Sequence, residues 1–225
     1  MQYLKQIVGT LLVALPVMYS SNLSADDNGR AYEVTITNIT KGEIFTPIMV
    51  AAHPAGVKLF NTGEPASAAL EMLAEGGDTG PLSEYLTDAG AIDVVTTDNV
   101  LPPGTSVTAH VRTSHRNNRV SVAAMLVPTN DAFFAINGVK GPRLHRSKTV
   151  TSPAYDAGTE HNDEMCVSIP GPPFICAGEG YSDAGGEGYV YIHPGIHGIG
   201  DLPATNHDWN NPVAKVTIRQ VRYED

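Results

Sequence analysis

Positive charge is scarce in this sequence. Its 225 residues include 14 Lys and Arg against 24 Asp and Glu, and only 17% of all residues are charged. Proteins that bind duplex nucleic acid neutralise phosphates with Lys and Arg, so the sequence argues against a basic nucleic-acid binder. The hydrophobic fraction is an ordinary 42%, which argues against a disordered chain. One globular domain of usual size is therefore expected.

Several catalytic motifs are also missing from the sequence. It contains no phosphate-binding Gly-x-x-x-x-Gly-Lys, no Cys-x-x-Cys and no His-Glu-x-x-His. Residues 180–184 fall one position short of a Gly-x-Ser-x-Gly nucleophile elbow, and they lie in a Gly-rich stretch rather than between a strand and a helix. We therefore expect a protein that is not an enzyme.

Long apolar runs are absent too. Residues 7–17 are mostly apolar, but they are too few to span a bilayer, which needs about 20 such residues. Lys5 precedes this stretch and small residues follow it up to Ala25, which is the pattern of a secretory signal. The sequence thus predicts a signal peptide over residues 1–25, with Ser20 as a second cleavage candidate. Residues 26–225 would form a single exported domain, periplasmic or extracellular, without a transmembrane segment.

Cysteine occurs only twice, at Cys166 and Cys176. An even number of cysteines in an exported protein predicts a disulfide, which here would close a small loop. Two free thiols are the alternative.

The remaining sequence is rich in short strand patterns. Residues 32–37 alternate apolar and polar side chains, as a half-buried strand does. Further Val-, Ile-, Thr- and Tyr-rich runs cover residues 45–52, 105–111, 120–127, 188–192 and 213–221. Because turn residues separate these runs, they predict an antiparallel sandwich or barrel.

Two short helices interrupt the strands. Leu70 and Leu73 belong to a helical spacing that begins after Pro65 and ends at Gly76-Gly77. Leu82 and Leu86 repeat that spacing, with Thr79 as the expected cap. Both helices are expected to cover the sheets, and residues 171–187 are expected to form a long exposed loop.

A cluster of carboxylates is the main chemical signal. Asp156, Glu160, Asp163 and Glu164 fall within nine positions that contain no Lys or Arg. Closely spaced carboxylates repel one another, and a hard cation bound through oxygen would stabilise them, which favours calcium outside cells. Asp131 follows an apolar strand and a Pro128 turn, where a loop ligand commonly lies. A solvated acidic loop is the alternative.

Histidines suggest a rival site. His193, His197 and His207 lie near Asp201 and Asp208, and imidazole suits zinc or copper. Pro194 and the glycines around it prevent His193 and His197 from sharing one helical face, so loop histidines that pack near Trp209 are the competing interpretation.

These segments together resemble the spondin domain, the amino-terminal module of F-spondin that also occurs in exported bacterial proteins. The resemblance rests on the Pro-x-x-Asp-x-Phe turn at 128–133 and the Asp-Ala-Gly-Thr-acid turn at 156–160. It is supported by the 45–48 strand, the 65–77 helix and the final 211–216 strand, which is similar to the bacterial branch. It extends over nearly all of residues 31–223.

The resemblance implies an all-β fold, a sandwich of two antiparallel sheets, with calcium bound by loops at one end. The implied ligands are Asp131, Asp156 and Glu160. Glu160 stands where Asp is usual and Ala132 where an aromatic is usual, so the arm of one ligand is longer and the adjacent surface differs.

Three functions follow as hypotheses. The first is a non-enzymatic, calcium-binding module for adhesion or interaction with an extracellular or surface protein or glycan. The second is a zinc-dependent hydrolase that uses the histidines. The third is a purely structural envelope protein whose loops calcium stabilises.

Overall fold

Eleven strands and three helices make up the part of the chain that the computed structural model describes, namely residues 30–143, 145–182 and 185–222. The predicted signal peptide lies outside these residues. The strands are β1 (Arg30–Asn38), β2 (Ile44–Phe45), β3 (Met49–His53), β4 (Asp93–Thr96), β5 (Ser106–Arg112), β6 (Arg119–Val127), β7 (Ala132–Lys140), β8 (Ser147–Ser152), β9 (Ala154–Asp156), β10 (Tyr191–Ile192) and β11 (Ala214–Arg222). The helices are α1 (Ala68–Gly76), α2 (Gly80–Asp88) and α3 (Ala204–His207).

Two antiparallel sheets form the sandwich. One has four strands in the order β5-β1-β11-β8, and the other has seven, with β10-β9-β7-β6-β3-β4 in line and β2 paired to β6. The predicted all-β sandwich is thereby confirmed. The 45–52 run is divided into β2 and β3, since Pro47 lies between them and has no N–H to donate to a ladder.

The core lies between the sheets. Alternate residues of β1, such as Val34 and Ile36, are fully buried against Val122 and Phe134 of the larger sheet. The rings of Phe45 and Phe134 contact there, with centroids 4.4 Å apart.

A second apolar layer lies on the opposite face of the larger sheet. Leu70 and Leu73 of α1 and Leu82 and Leu86 of α2 are fully buried there against β3, β6 and β7. The helices therefore cover one sheet, as expected. Thr79 is the N-cap residue of α2, but its side chain makes no capping bond, because Asp78 Oδ1 accepts the Gly80 N–H instead at 2.8 Å.

The strand directions give the sandwich two distinct ends. The last residue of β6, the first of β7 and the last of β9 meet at one end, which we call the acidic end. The start of β1, the end of β11, the start of β6 and the end of β7 meet at the other, which we call the basic end. β8 is an edge strand of the four-stranded sheet and is mostly exposed.

Candidate functional site

The turn between β6 and β7 buries Asp131 completely. Thr129 holds this turn, because its Oγ1 donates to the Leu126 carbonyl and accepts from the Ala132 N–H at 3.2 Å. The short turn leaves Asp131 at the start of β7, so its carboxylate points into the acidic end rather than into solvent.

Asp156 lies beside Asp131. Asp156 ends β9 and is the register partner of Ala132, the residue that follows Asp131. Its side chain is fully buried, with Oδ1 accepting the Gly158 N–H at 2.8 Å and Oδ2 accepting from Asn162 Nδ2 at 2.6 Å. The sheet thus joins two carboxylates that are 25 positions apart in the sequence.

One oxygen of Asp131 has partners and the other has none. Oδ2 accepts the N–H groups of Thr159 and Glu160, at 2.9 and 3.2 Å. Oδ1 is buried and has no hydrogen-bond partner among the described residues. A buried polar atom of this kind needs a partner, because an unsatisfied group loses its hydration without compensation.

The electrostatics of the pair follow from burial. Burial raises the pKa of Asp131 well above its usual range, and the charge of Asp156 raises it further. Burial also raises the pKa of Asp156, although hydrogen bonds from Asn162 and Tyr191 oppose this effect. Without a cation, this arrangement therefore disfavours two simultaneous negative charges.

Glu160 is buried as well, but its surroundings are different. Burial and then the charge of Glu75 raise the pKa of Glu160 to about 7, while a hydrogen bond from Asn130 lowers it. Glu75 comes from α1, is 1% exposed, and has one carboxylate oxygen, Oε1, without a partner among the described residues. The sequence did not single out Glu75, because a Glu near the end of an amphipathic helix usually faces water.

The three predicted ligands are therefore only partly brought together. Asp131 and Asp156 are neighbours, and the charge of Glu160 also raises the pKa of Asp131, but the charge that most raises the pKa of Glu160 is that of Glu75. Within the described ranges, no group of three or more His, Cys, Asp or Glu side chains has an arrangement that could hold a metal ion. Calcium binding stays a prediction.

The donor set nevertheless has the chemistry of a site for a hard cation. Both adjacent side chains are carboxylates, one oxygen lacks a partner, and the ion pairs of the described residues bring no Lys or Arg to either group. Oxygen donors are the ligands that calcium prefers.

The other acids of the segment hold loops together. Glu164 has a positive φ of 57° and accepts the N–H groups of His197 and Ile199, at 2.6 and 2.8 Å. Asp163 Oδ1 accepts from Asn130 Nδ2 at 3.0 Å. The acidic segment is therefore not a solvated loop, since Glu164 is buried and holds the histidine-containing segment through part-buried hydrogen bonds.

The three histidines have separate partners. His193 is 3% exposed, lies 3.1 Å from Asn162 Oδ1 and packs on Trp209, with ring centroids 5.0 Å apart. Burial lowers the pKa of His193 to about 4. His197 is exposed and binds Glu164 through its backbone.

His207 belongs to a different contact. Its Nδ1 lies 3.1 Å from Oε1 of Glu43, a fully buried residue just before β2. Burial raises the pKa of Glu43 to about 7, although His207 opposes the shift. His193 is therefore a packed loop histidine on Trp209, whereas His207 lies in α3 against Glu43. Zinc binding by the three histidines stays a prediction.

The predicted disulfide is confirmed. Cys166 and Cys176 are bonded, with Cα atoms 4.8 Å apart, and close a loop of the acidic end. In the described part of the chain, no helix is long and apolar enough to cross a membrane.

Comparison with known proteins gives a match to a family model. A family model described as Spondin_N matches residues 34–167, more than half of the chain, and its range includes Asp131, Asp156 and Glu160. A search of the curated proteins found no match.

Proposed function

Because the chain belongs to the Spondin_N family, which consists of extracellular-type, non-catalytic modules, we propose that it is an exported calcium-binding module for adhesion or interaction. The Cys166–Cys176 disulfide supports export, since disulfides persist in oxidising compartments. Whether that compartment is the periplasm or the cell exterior does not affect the proposal.

The unpartnered Oδ1 of Asp131 carries this proposal. Leaving a buried acceptor unsatisfied costs about 1–3 kcal/mol, and more for a charged group. A divalent cation between Asp131 and Asp156 would give that oxygen a partner and reduce the repulsion between the carboxylates. Asp131, Asp156 and Glu160 would supply side-chain oxygens, with Glu160 turning its longer arm toward the pair.

Bound calcium would supply a fixed charge that neutralises these acids. The surrounding residues would keep the loops that carry the ligands rigid. Asp131 already joins the β6–β7 turn to residues 159–160 through its second oxygen, and Gly158 allows the tight turn between Asp156 and Glu160. Calcium would therefore stabilise the loops of the acidic end in one arrangement, as a structural ion rather than a catalytic one.

The loops around the site support an interaction role. Phe174 is 79% exposed, Ile199 70% and Val167 66%, and all three lie on loops of the acidic end. Phe174 borders a groove together with Val100, which is 51% exposed, and contiguous exposed apolar side chains often mark protein contacts. The acidic surface around them would favour basic or calcium-bridged partners.

Titration calorimetry and thermal unfolding test the calcium site. We expect millimolar calcium to release or absorb measurable heat and to stabilise the parent protein. At 100 times the dissociation constant, a ligand stabilises the fold by about 2.7 kcal/mol, which corresponds to a melting shift of about 5–10 °C for a domain of this size. Asp131→Asn should abolish both effects.

Asp98→Asn is the matched control, because Asp98 is an exposed carboxylate in another loop. It should respond to calcium like the parent protein. The calcium proposal fails if the parent shows no heat and no shift, or if Asp131→Asn responds fully.

The interaction proposal has a separate test, a pull-down from an extracellular extract with calcium or with a chelator. Absence of any partner that depends on calcium would favour a purely structural protein.

A further inference from the structure

The basic end concentrates the few positive charges of this acidic protein. Arg30 and Arg222 are register partners, as are Arg119 and Lys140, so four cationic residues meet where the two sheets end. Arg143 and Arg146 follow Lys140 in the connection between β7 and β8. These six are a large share of the 14 Lys and Arg in the whole sequence. These six side chains are therefore opposite in sign to the net charge of −10.

A cavity of about 520 Å³ opens among these residues. Its volume is in the range of about 300–1,000 Å³ that is typical of ligand sites. The connection of residues 113–118 forms one wall and residues 140–143 form another. Gly141 shapes the second wall, because a Cβ at this position would lie 2.4 Å from the Tyr32 hydroxyl. The absence of a side chain lets this loop lie directly against the buried tyrosine.

The described part of the protein gives the cations of the cavity no ion-pair partner. Arg30, Lys140 and Arg143 line it, and none of them forms an ion pair with another described residue. None of the described residues that line the cavity is an Asp or Glu. Asp93 lies near this end but is bound to Arg112, whose backbone N–H it accepts at 2.8 Å. Three cations around one concavity, without an ion-pair partner among residues 30–143, 145–182 and 185–222, favour an anion there.

Three uncharged polar side chains also line the cavity. Ser114, Asn118 and Gln220 bring hydroxyl and amide groups, which pair well with the hydroxyls of a sugar. Tyr32 also lines the cavity but is 1% exposed, so the accessible ring of the described lining is the imidazole of His115. One imidazole gives successive bases of a nucleotide polymer little surface on which to stack.

We propose that the cavity at the basic end binds a saccharide that carries an oxyanion, either a carboxylate or a sulfate. The guanidinium groups of Arg30 and Arg143 would pair with the oxyanion, because Arg presents a planar fork of donors that matches such groups. Ser114, Asn118 and Gln220 would then bind the ring hydroxyls. This site lies at the opposite end from Asp131 and does not depend on calcium.

Titration calorimetry on the purified protein tests this, with a chelator present so that calcium plays no part. The probes are an oligogalacturonate, a sulfated dextran oligosaccharide, a neutral dextran of similar length and inorganic sulfate. We expect at least one anionic saccharide to bind tenfold more tightly than neutral dextran or inorganic sulfate. The anionic saccharide that binds identifies the oxyanion as a carboxylate or a sulfate. Raising the salt concentration should weaken this binding.

Variants assign the binding to the cavity. The double variant Lys140→Ala/Arg143→Ala should weaken it at least tenfold, since it removes two cationic contacts. Lys215→Ala is the matched control, because Lys215 is exposed on β11 near the other end, and it should leave the affinity unchanged. If the double variant melts at a lower temperature than the parent, Arg143→Gln alone should still weaken binding at least threefold.

Three results would overturn the proposal. In the first, neither anionic saccharide gives heat. In the second, neutral dextran or inorganic sulfate binds as tightly as the anionic saccharides. In the third, both cavity variants bind the anionic saccharide with the affinity of the parent. Asp131→Asn should bind the saccharide like the parent. A failure of the calcium proposal and a failure of this one are therefore distinguishable.

Discussion

Glu43 offers a direct test of how burial governs the pH response of this fold. The residue is fully buried just before β2, with one carboxylate oxygen 3.1 Å from His207 and the other, Oε2, without a partner among the described residues. Burial disfavours its charged form and raises its pKa from 4.5 to about 7. We expect Glu43→Gln to remove this pH dependence, because Gln has a similar shape and no charge to bury.

The change in the free energy of unfolding follows from the pKa shift of Glu43. Between about pH 4.5 and about pH 7, the folded state keeps the proton on Glu43 while the unfolded state has released it. Rising pH therefore favours unfolding across this window and has no further effect above it. A shift of this size corresponds to about 3 kcal/mol at most, since each pKa unit is worth about 1.36 kcal/mol.

Urea unfolding over this pH range measures the effect. The free energy of unfolding of Glu43→Gln minus that of the parent should grow by up to about 3 kcal/mol as the pH rises through the window. Glu84→Gln is the matched control, because Glu84 is exposed on α2 and its removal should give a flat difference. A flat difference for Glu43→Gln as well would refute the reasoning, since the carboxyl would then have the same pKa in the folded and unfolded states.

Two further predictions concern the loops of the acidic end. Replacing both Cys166 and Cys176 by Ser should lower the free energy of unfolding by about 2–3 kcal/mol, because the disulfide closes a loop of only ten residues' separation. Urea unfolding measures this, and an unchanged midpoint would contradict it. Gly158→Ala should cost more than about 2 kcal/mol, since its φ is 68° and the new Cβ would lie 2.3 Å from the Tyr189 carbonyl oxygen. Gly104→Ala is its control, with a φ of 73° and open space around it, so equal losses in the two variants would exclude the clash as the cause.

The sequence revealed strands in two ways, through alternation and through apolar runs of strand length. β1 alternates buried and half-buried residues over most of its length, so its period of two was readable. β3 and β6 are buried on both faces and show no alternation, but their apolar runs still predicted strands. β7 was missed, because Asn137-Gly138 interrupts it with a pair that is typical of turns, whereas Gly138 has a φ of 68° inside the strand, where its register with β6 shifts.

Part of the candidate site could be predicted from short segments of the sequence. Asp131 and Asp156 could be named from local turns, and the register of β7 with β9 makes them neighbours. The contributions of Glu75 and Glu164 could not be foreseen. Glu75 comes from a helix far away in the sequence, and Glu164 acts through the backbone of residues 197–199, so only long-range packing makes either one relevant.

The exposed edge at β8 has a consequence for solubility. An edge strand offers unpaired backbone groups on which another chain could add a strand. The six residues of β8 include a lysine and four Ser or Thr side chains, and Lys148 lies at the middle of the exposed part. A charged, hydroxyl-rich edge makes a poor template for a second copy, because a new strand would have to bury that ammonium group. β8 thus helps to protect the exported protein from self-association through its sheets.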